Sequence, residues 1–215
     1  MSGRLRLIGY RHSVYTRAAR IALNEKNVDF EETEHDPFTG EGVDNPHAFG
    51  RVPVLCHGDF TIYETAAITA YVADGFDGPA LVPSGAWERA REAQVIGIID
   101  SYAYWPLVRQ VYSHAAFRPA TAEPADEKVL SDGMRAAPRV LAALEAIAAE
   151  GLSLGQVFTR ADCHLVPMIG AFRQVPQAAE MLRDYPALTD WWARVAERVS
   201  VKASETPLPS TPEHR

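Results

Sequence analysis

Apolar positions recur along this chain at two periods, and the change of period marks its elements. Residues 5–10, LRLIGY, read as a strand. Over residues 14–26, Ala18, Ile21, Ala22 and Leu23 form one stripe, with Arg17, Arg20 and Glu25 elsewhere, which predicts a helix. Residues 28–35 begin with Val28 and Phe30 in alternation and predict a second strand. Residues 36–50 are rich in Gly, Pro, Asp and Asn and predict an irregular segment. VPVLCH and FTIY, joined at Gly58-Asp59, predict a hairpin, and a helix follows over 65–74.

A helix between the first two strands makes them parallel, and a hairpin makes the last two antiparallel. The expected unit is therefore a mixed four-stranded sheet with helices on its faces. Beyond residue 85 no strand pattern recurs. A helical stretch over 87–117 is expected to break near Pro106. A second, within 125–150, places Val140, Leu141, Leu144 and Ile147 at helical spacing, with Pro138 bending it or delaying its start. Further helices are expected at 160–173, 176–183 and 187–199. The division expected is an α/β domain at 1–80, a linker at 81–88, an all-helical domain at 89–203 and a proline-rich disordered tail at 204–215.

Composition narrows the class. The chain has 215 residues, 47% of them hydrophobic, enough for one large core or two small ones. Its formal net charge of −7, with no clustered basic patch, argues against nucleic-acid or membrane-surface partners. No apolar run approaches the roughly 18 residues of a membrane span, and the start of the chain lacks signal-peptide features. The two cysteines, Cys56 and Cys163, lie far apart, which fits a reducing cytoplasm and no disulfide framework. Both are expected as small buried apolar residues. No His/Cys/acid set has metal-ligand spacing, so no metal is expected.

Four stretches carry chemistry. In RVPVLCHGDFTIYETAAITAYV, residues 51–72, Pro53 removes a ladder donor where a strand begins. Glu64-Thr65 opens a helix, Thr65 as a cap and Glu64 as a charge at its head, where free N–H groups accept a carboxylate. Between 10 and 16 stand Tyr10, His12, Ser13, Tyr15 and Thr16, with Ser13 placed to cap the first helix. Between 98 and 114, Tyr102, Trp105 and Tyr112 form an aromatic stretch; Tyr102 and Trp105 share a face. In FTRADCHLVPMI, Thr159 and Asp162 have capping-box spacing, Phe158 and Cys163 take staple positions, and Pro167 should kink the helix.

Three of these motifs, GYRHSVYTRAARIALNEKN, NPHAFGRVPVL…YETAAITAYV and FTRADCHLVPMI, stand in the order and spacing of the cytosolic glutathione transferase superfamily, which the chain resembles over residues 4–200. The resemblance implies a thioredoxin-like N-terminal domain followed by an all-helical one. It implies a cis Val52-Pro53 bond, which would turn the Val52 N–H and C=O outward to pair with the cysteinyl backbone of glutathione. Thr65 would hold the γ-glutamyl carboxylate and Glu64 its ammonium. Arg51, with His47 as a second candidate, would reach the glycyl carboxylate.

The thiol is a nucleophile only as thiolate, and a hydroxyl at a helix N-terminus stabilises that anion. Ser13 matches the serine-type position, with Tyr10 as the alternative in a tyrosine-type class. Tyr15, Tyr102, Trp105 and Tyr112 would wall an apolar pocket for the electrophile. The resemblance implies a homodimeric transferase with glutathione as co-substrate. A glutathione-dependent isomerase, dehalogenase or peroxidase, or a non-catalytic binding protein of the same fold, remain as other readings.

Overall fold

The computed structural model describes residues 3–209. The chain divides into two compact units: one runs to Val82 and takes back Val199–Thr206, and the other runs from Pro83 to Arg198.

The first unit is built on a four-stranded sheet in the order β2-β1-β3-β4. Strand β1 (Leu5–Gly9) pairs parallel with β2 (Glu31–Glu34) and antiparallel with β3 (Val54–His57), which pairs antiparallel with β4 (Phe60–Tyr63). This is the mixed sheet expected. Helix α1 (Val14–Glu25) buries Ala18, Ala19, Ile21, Ala22 and Leu23 with no exposed area. At the end of β1 the backbone runs close beneath α1: a Cβ on Gly9 would fall 2.2 Å from Thr16 Cγ2, so only glycine fits there. Helix α2 (Thr65–Gly75) packs against α1 and β4. Strand β2 is shorter than expected. Val28 and Phe30 are only half-buried and lie outside it, because pairing with β1 begins at Glu31.

The second unit is all-helical. Helix α3 (Ala86–Ile98) runs directly into a π-helical segment, Ile99–Phe117, and then a single turn, α4 (Arg118–Ala120). The expected break at Pro106 does not occur. Ala103, Pro106, Leu107, Val108 and Val111 are buried where the segment packs against α5 (Glu127–Glu150) and α6 (Arg160–Phe172), and that burial holds the chain helical across the proline. Helix α5 likewise continues through Pro138, keeping Val140, Leu141, Leu144 and Ile147 inside. Helices α7 (Pro176–Leu182) and α8 (Pro186–Val195) follow. The helix expected over 187–199 stops at Val195, and a separate α9 (Val199–Ala203) begins after a turn.

That last segment corrects the expected division. The sequence pattern places residues 199–203 in the helical domain and 204–215 in a disordered tail. Instead Val199–Thr206 returns to the first unit. Arg20 Nη1 donates to the Ser204 carbonyl at 2.9 Å, Arg17 Nε donates to Ser204 Oγ at 3.1 Å, and the Ser200 hydroxyl donates to Glu25. Ser204 has no exposed area, so the prolines that follow it do not keep the segment around it from packing. Residues 210–215 of the expected tail lie outside the described residues.

Candidate functional site

The sheet register gathers the site. Because β1 and β3 are antiparallel, with Ile8 opposite Val54, the chain leaves β1 and enters β3 at the same end of the sheet. Because β3 and β4 are antiparallel, with Val54 opposite Tyr63, it leaves β4 there too. The 10–13 loop, Val52-Pro53 and Glu64-Thr65 therefore meet at one end of the sheet. The N-termini of α1 and α2 open at that end, and each contributes unsatisfied backbone N–H groups and the positive end of its dipole.

Ser13 is the N-cap of α1, in extended conformation at φ −73° and ψ 124°. Its Oγ accepts the Thr16 N–H at 3.2 Å, and its N–H donates to the Tyr10 carbonyl at 2.8 Å. The Tyr10 ring stands edge-on to His12, centroids 5.4 Å apart, and to Phe38 at 6.0 Å. Burial and the Arg11 guanidinium hold the His12 imidazole below its ordinary 6.5, with Glu34 opposing. Tyr15 is half-buried on α1.

The Val52-Pro53 bond is cis. Pro53 is buried, Val52 half-buried and Arg51 exposed. The Arg51 carbonyl accepts from Asn45 Nδ2 at 2.9 Å, which ties the approach to β3 back onto the preceding loop.

Glu64, not Thr65, occupies the N-cap position of α2. Its backbone sits at φ 70° and ψ 117°, and its side chain makes no capping hydrogen bond. Positive φ in a residue with a Cβ is rare and costs roughly 1–3 kcal/mol, so it concentrates at functional sites. The conformation leaves the Glu64 carboxylate exposed at the head of the helix while Thr65 behind it is buried. His47 is buried against the Tyr63 ring, centroids 4.3 Å apart, with its Nε2 3.9 Å from Glu64 Oε1. The sequence shows no sign of the Glu64 conformation. It does show His47 in Asn-Pro-His, a turn-forming run beside the Val-Pro.

In the second unit, Tyr102 and Trp105 are 66% and 61% exposed on the π-helical segment, which is unusual for side chains so large. Tyr112 is half-buried, its ring 6.1 Å from that of Phe117. Thr159 caps α6 as expected. Asp162 Oδ2 accepts the Thr159 N–H at 2.7 Å and its hydroxyl at 2.8 Å, and Oδ1 accepts the Trp191 indole N–H at 2.7 Å. Burial pushes the Asp162 carboxyl above its ordinary range against these three donors. Phe158 and Cys163 are buried at the staple positions, and Cys56 is buried in β3. Among the described residues no helix is long and apolar enough to cross a membrane, and no group of three His, Cys, Asp or Glu is placed to hold a metal.

Two family models match the chain: the glutathione S-transferase N-terminal domain over residues 7–80 and the glutathione S-transferase C-terminal domain over 105–198. The chain is 29% identical over 205 residues to glutathione S-transferase F7 of Arabidopsis thaliana, covering 92% of this chain and 97% of that protein. Its fold superposes on glutathione transferase F7 of Populus trichocarpa with a TM-score of 0.80 at 27% identity, over 93% of this chain and 97% of that one. It superposes on the glutathione-bound theta-class enzyme of Xanthomonas axonopodis pv. citri with a TM-score of 0.80 at 25% identity, over 96% and 100%.

Proposed function

The chain belongs to the cytosolic glutathione S-transferase superfamily, and we propose that it joins the glutathione thiolate to a small apolar electrophile. The observation that carries this reading is the convergence of the 10–13 loop, the cis Val52-Pro53 segment and the strained Glu64-Thr65 helix head at one end of the sheet. Each offers what one part of the tripeptide requires. Val52 presents strand-like backbone N–H and C=O to the cysteinyl residue. The head of α2, with Thr65, receives the γ-glutamyl carboxylate, and Glu64 receives its ammonium. Arg51, exposed beside Val52, reaches the glycyl carboxylate.

Ser13 donates a hydrogen bond from its hydroxyl to the cysteinyl sulfur, at the positive end of α1, and so favours thiolate over thiol, the thiol proton leaving to solvent. Tyr10 is the alternative donor. The thiolate attacks the electrophilic carbon, the new C–S bond forms, and the leaving group departs with its electron pair. Tyr102, Trp105 and Tyr112 of the second unit are the proposed contacts for the electrophile, the exposed rings of Tyr102 and Trp105 supporting that role. The experiment is retention on immobilised glutathione together with conjugation of 1-chloro-2,4-dinitrobenzene. A protein that does neither is not a glutathione transferase.

The protein is further read as a cytoplasmic homodimer. The dimer is supported by large apolar side chains left exposed in the single chain, Phe49 at 74% and Trp87 at 81%. The compartment is supported by two cysteines that form no disulfide. Light scattering on the purified protein tests the first, and fractionation of the source cell tests the second.

A further inference from the structure

His47 is held more tightly than a loop residue requires. Its backbone N–H donates to Asn45 Oδ1 at 3.0 Å, and its carbonyl accepts the Gly50 N–H at 2.9 Å. Its ring lies on Tyr63 at 30° between planes, and Nδ1 accepts the Phe49 N–H at 3.1 Å. That last bond assigns the tautomer. A nitrogen that accepts a backbone N–H carries no proton, so the neutral ring carries its proton on Nε2. Nε2 is the atom turned toward Glu64, 3.9 Å from Oε1. A proton on both nitrogens would set Nδ1–H against the Phe49 N–H. Burial acts in the same direction, holding the imidazole below its ordinary 6.5; Glu64 opposes this and Arg51 adds to it.

We propose that His47 is a positioning residue for Glu64, its Nε2–H aiming the exposed carboxylate at the γ-glutamyl ammonium of glutathione. The inference rests on the assignment of Glu64 as the ammonium partner. Glu64 has its backbone direction set by its positive φ, but its side chain makes no capping bond and stands in solvent. A long exposed carboxylate loses rotamer freedom when it binds. A rigid donor beside it reduces that loss before the ligand arrives.

Two substitutions separate the two nitrogens. His47→Asn can keep an acceptor for the Phe49 N–H but removes the donor facing Glu64. His47→Gln can keep that donor but gives up the acceptor. The expected result is that His47→Asn raises KM for glutathione about threefold, the loss of a polar contact that at 3.9 Å is longer than a hydrogen bond, with kcat within about twofold. His47→Gln stays within about twofold of wild type in both constants. The defect disappears with glutaryl-cysteinyl-glycine, which lacks the amino group, and it adds nothing in a Glu64→Gln background, as required of two residues acting through one contact.

An unchanged KM in His47→Asn overturns the proposal. So does an equal defect against the deaminated analogue, or a defect in His47→Gln as large as in His47→Asn. Calorimetric titration of wild type with glutathione separates the failures: binding that is insensitive to Glu64→Gln overturns the underlying assignment, whereas binding that is sensitive to Glu64→Gln but not to His47→Asn overturns only the role of His47.

Discussion

Ser13 Oγ accepts the Thr16 backbone N–H at 3.2 Å, and Thr16 Oγ1 accepts the Tyr10 N–H at 3.3 Å. The cap and the proposed activator are therefore one hydroxyl, and the two roles do not compete. A serine hydroxyl has one donor and two acceptor positions. The cap uses an acceptor position, which leaves the proton for the sulfur. Orienting the oxygen toward the α1 amide also fixes where that proton can point.

Ser13→Ala should lose both roles. Loss of the cap lowers stability by about 1 kcal/mol. Loss of the donor lowers kcat/KM about a hundredfold, the scale for removing one donor from a developing or stabilised anion. It also raises the apparent pKa of the bound thiol, read from thiolate absorbance against pH, while glutathione still binds. Ser13→Gly separates the effects, because glycine at a cap costs only a few tenths of a kcal/mol. It should show the same catalytic defect with most of the stability retained. If Tyr10→Phe moves the thiol pKa and Ser13→Gly does not, the assignment passes to Tyr10.

Glu64→Gly should uncouple stability from binding. At φ 70° a side chain is strained by about 1–3 kcal/mol, and glycine relieves it. Glycine returns part of that gain through the greater freedom of the unfolded chain, about 0.5–1 kcal/mol. The expected variant melts at the wild-type temperature or above, yet needs at least tenfold more glutathione for half-saturation. A clear drop in melting temperature would mean that the Glu64 side chain contributes stability that its exposed position does not suggest.

Asp162→Asn should destabilise strongly without touching the glutathione site. One oxygen of this buried carboxylate accepts both Thr159 donors, and the other accepts the Trp191 indole. If the asparagine oxygen keeps the indole, an amide NH2 faces two donors, and buried polar groups are left unsatisfied at about 1–3 kcal/mol each. Urea unfolding followed by tryptophan emission should show a loss of about 2–4 kcal/mol. The KM for glutathione of the remaining folded protein should be unchanged.

The elements that sequence alone revealed are those whose cause is local. The α6 cap is written in four residues, Thr159 to Asp162. The hairpin is written in Gly58-Asp59, and α1 in the spacing of Ala18, Ile21, Ala22 and Leu23. The misjudged features have distant causes. Pro106 signals a break by local rules, but the helical segment it sits in is buried against α5 and α6. Ser204 neighbours prolines yet is held by Arg17 and Arg20, more than 180 residues earlier. At the site, the residue types at 13, 51–53 and 64–65 were legible. Their meeting at one end of the sheet depends on two antiparallel registers, and the Glu64 backbone and the His47 lock arise only once those strands have paired.

His47 should make the fold sensitive to acid. His12, His47 and His114 are each held below 6.5, burial being the largest cause in every case. A folded pKa below the unfolded one means that the unfolded chain takes up the proton first. Stability from these groups is therefore complete above 6.5 and is lost as pH falls from there through the folded values. For His47 and His114 the cause includes geometry, since each ring Nδ1 accepts a backbone N–H, from Phe49 and Asp126 respectively. Asp162 acts in the opposite sense: its raised pKa makes burial of its charge less costly as pH falls from its folded value toward 3.8. That contribution is common to wild type and His47→Gln, so it cancels in their difference. The unfolding free energy measured in urea at pH 7.5, less that at pH 5.5, should be smaller in His47→Gln than in wild type. Equal drops in the two proteins would show that His47 titrates in the folded protein as it does in the unfolded chain, and the lock on Nδ1 would then have no energetic weight.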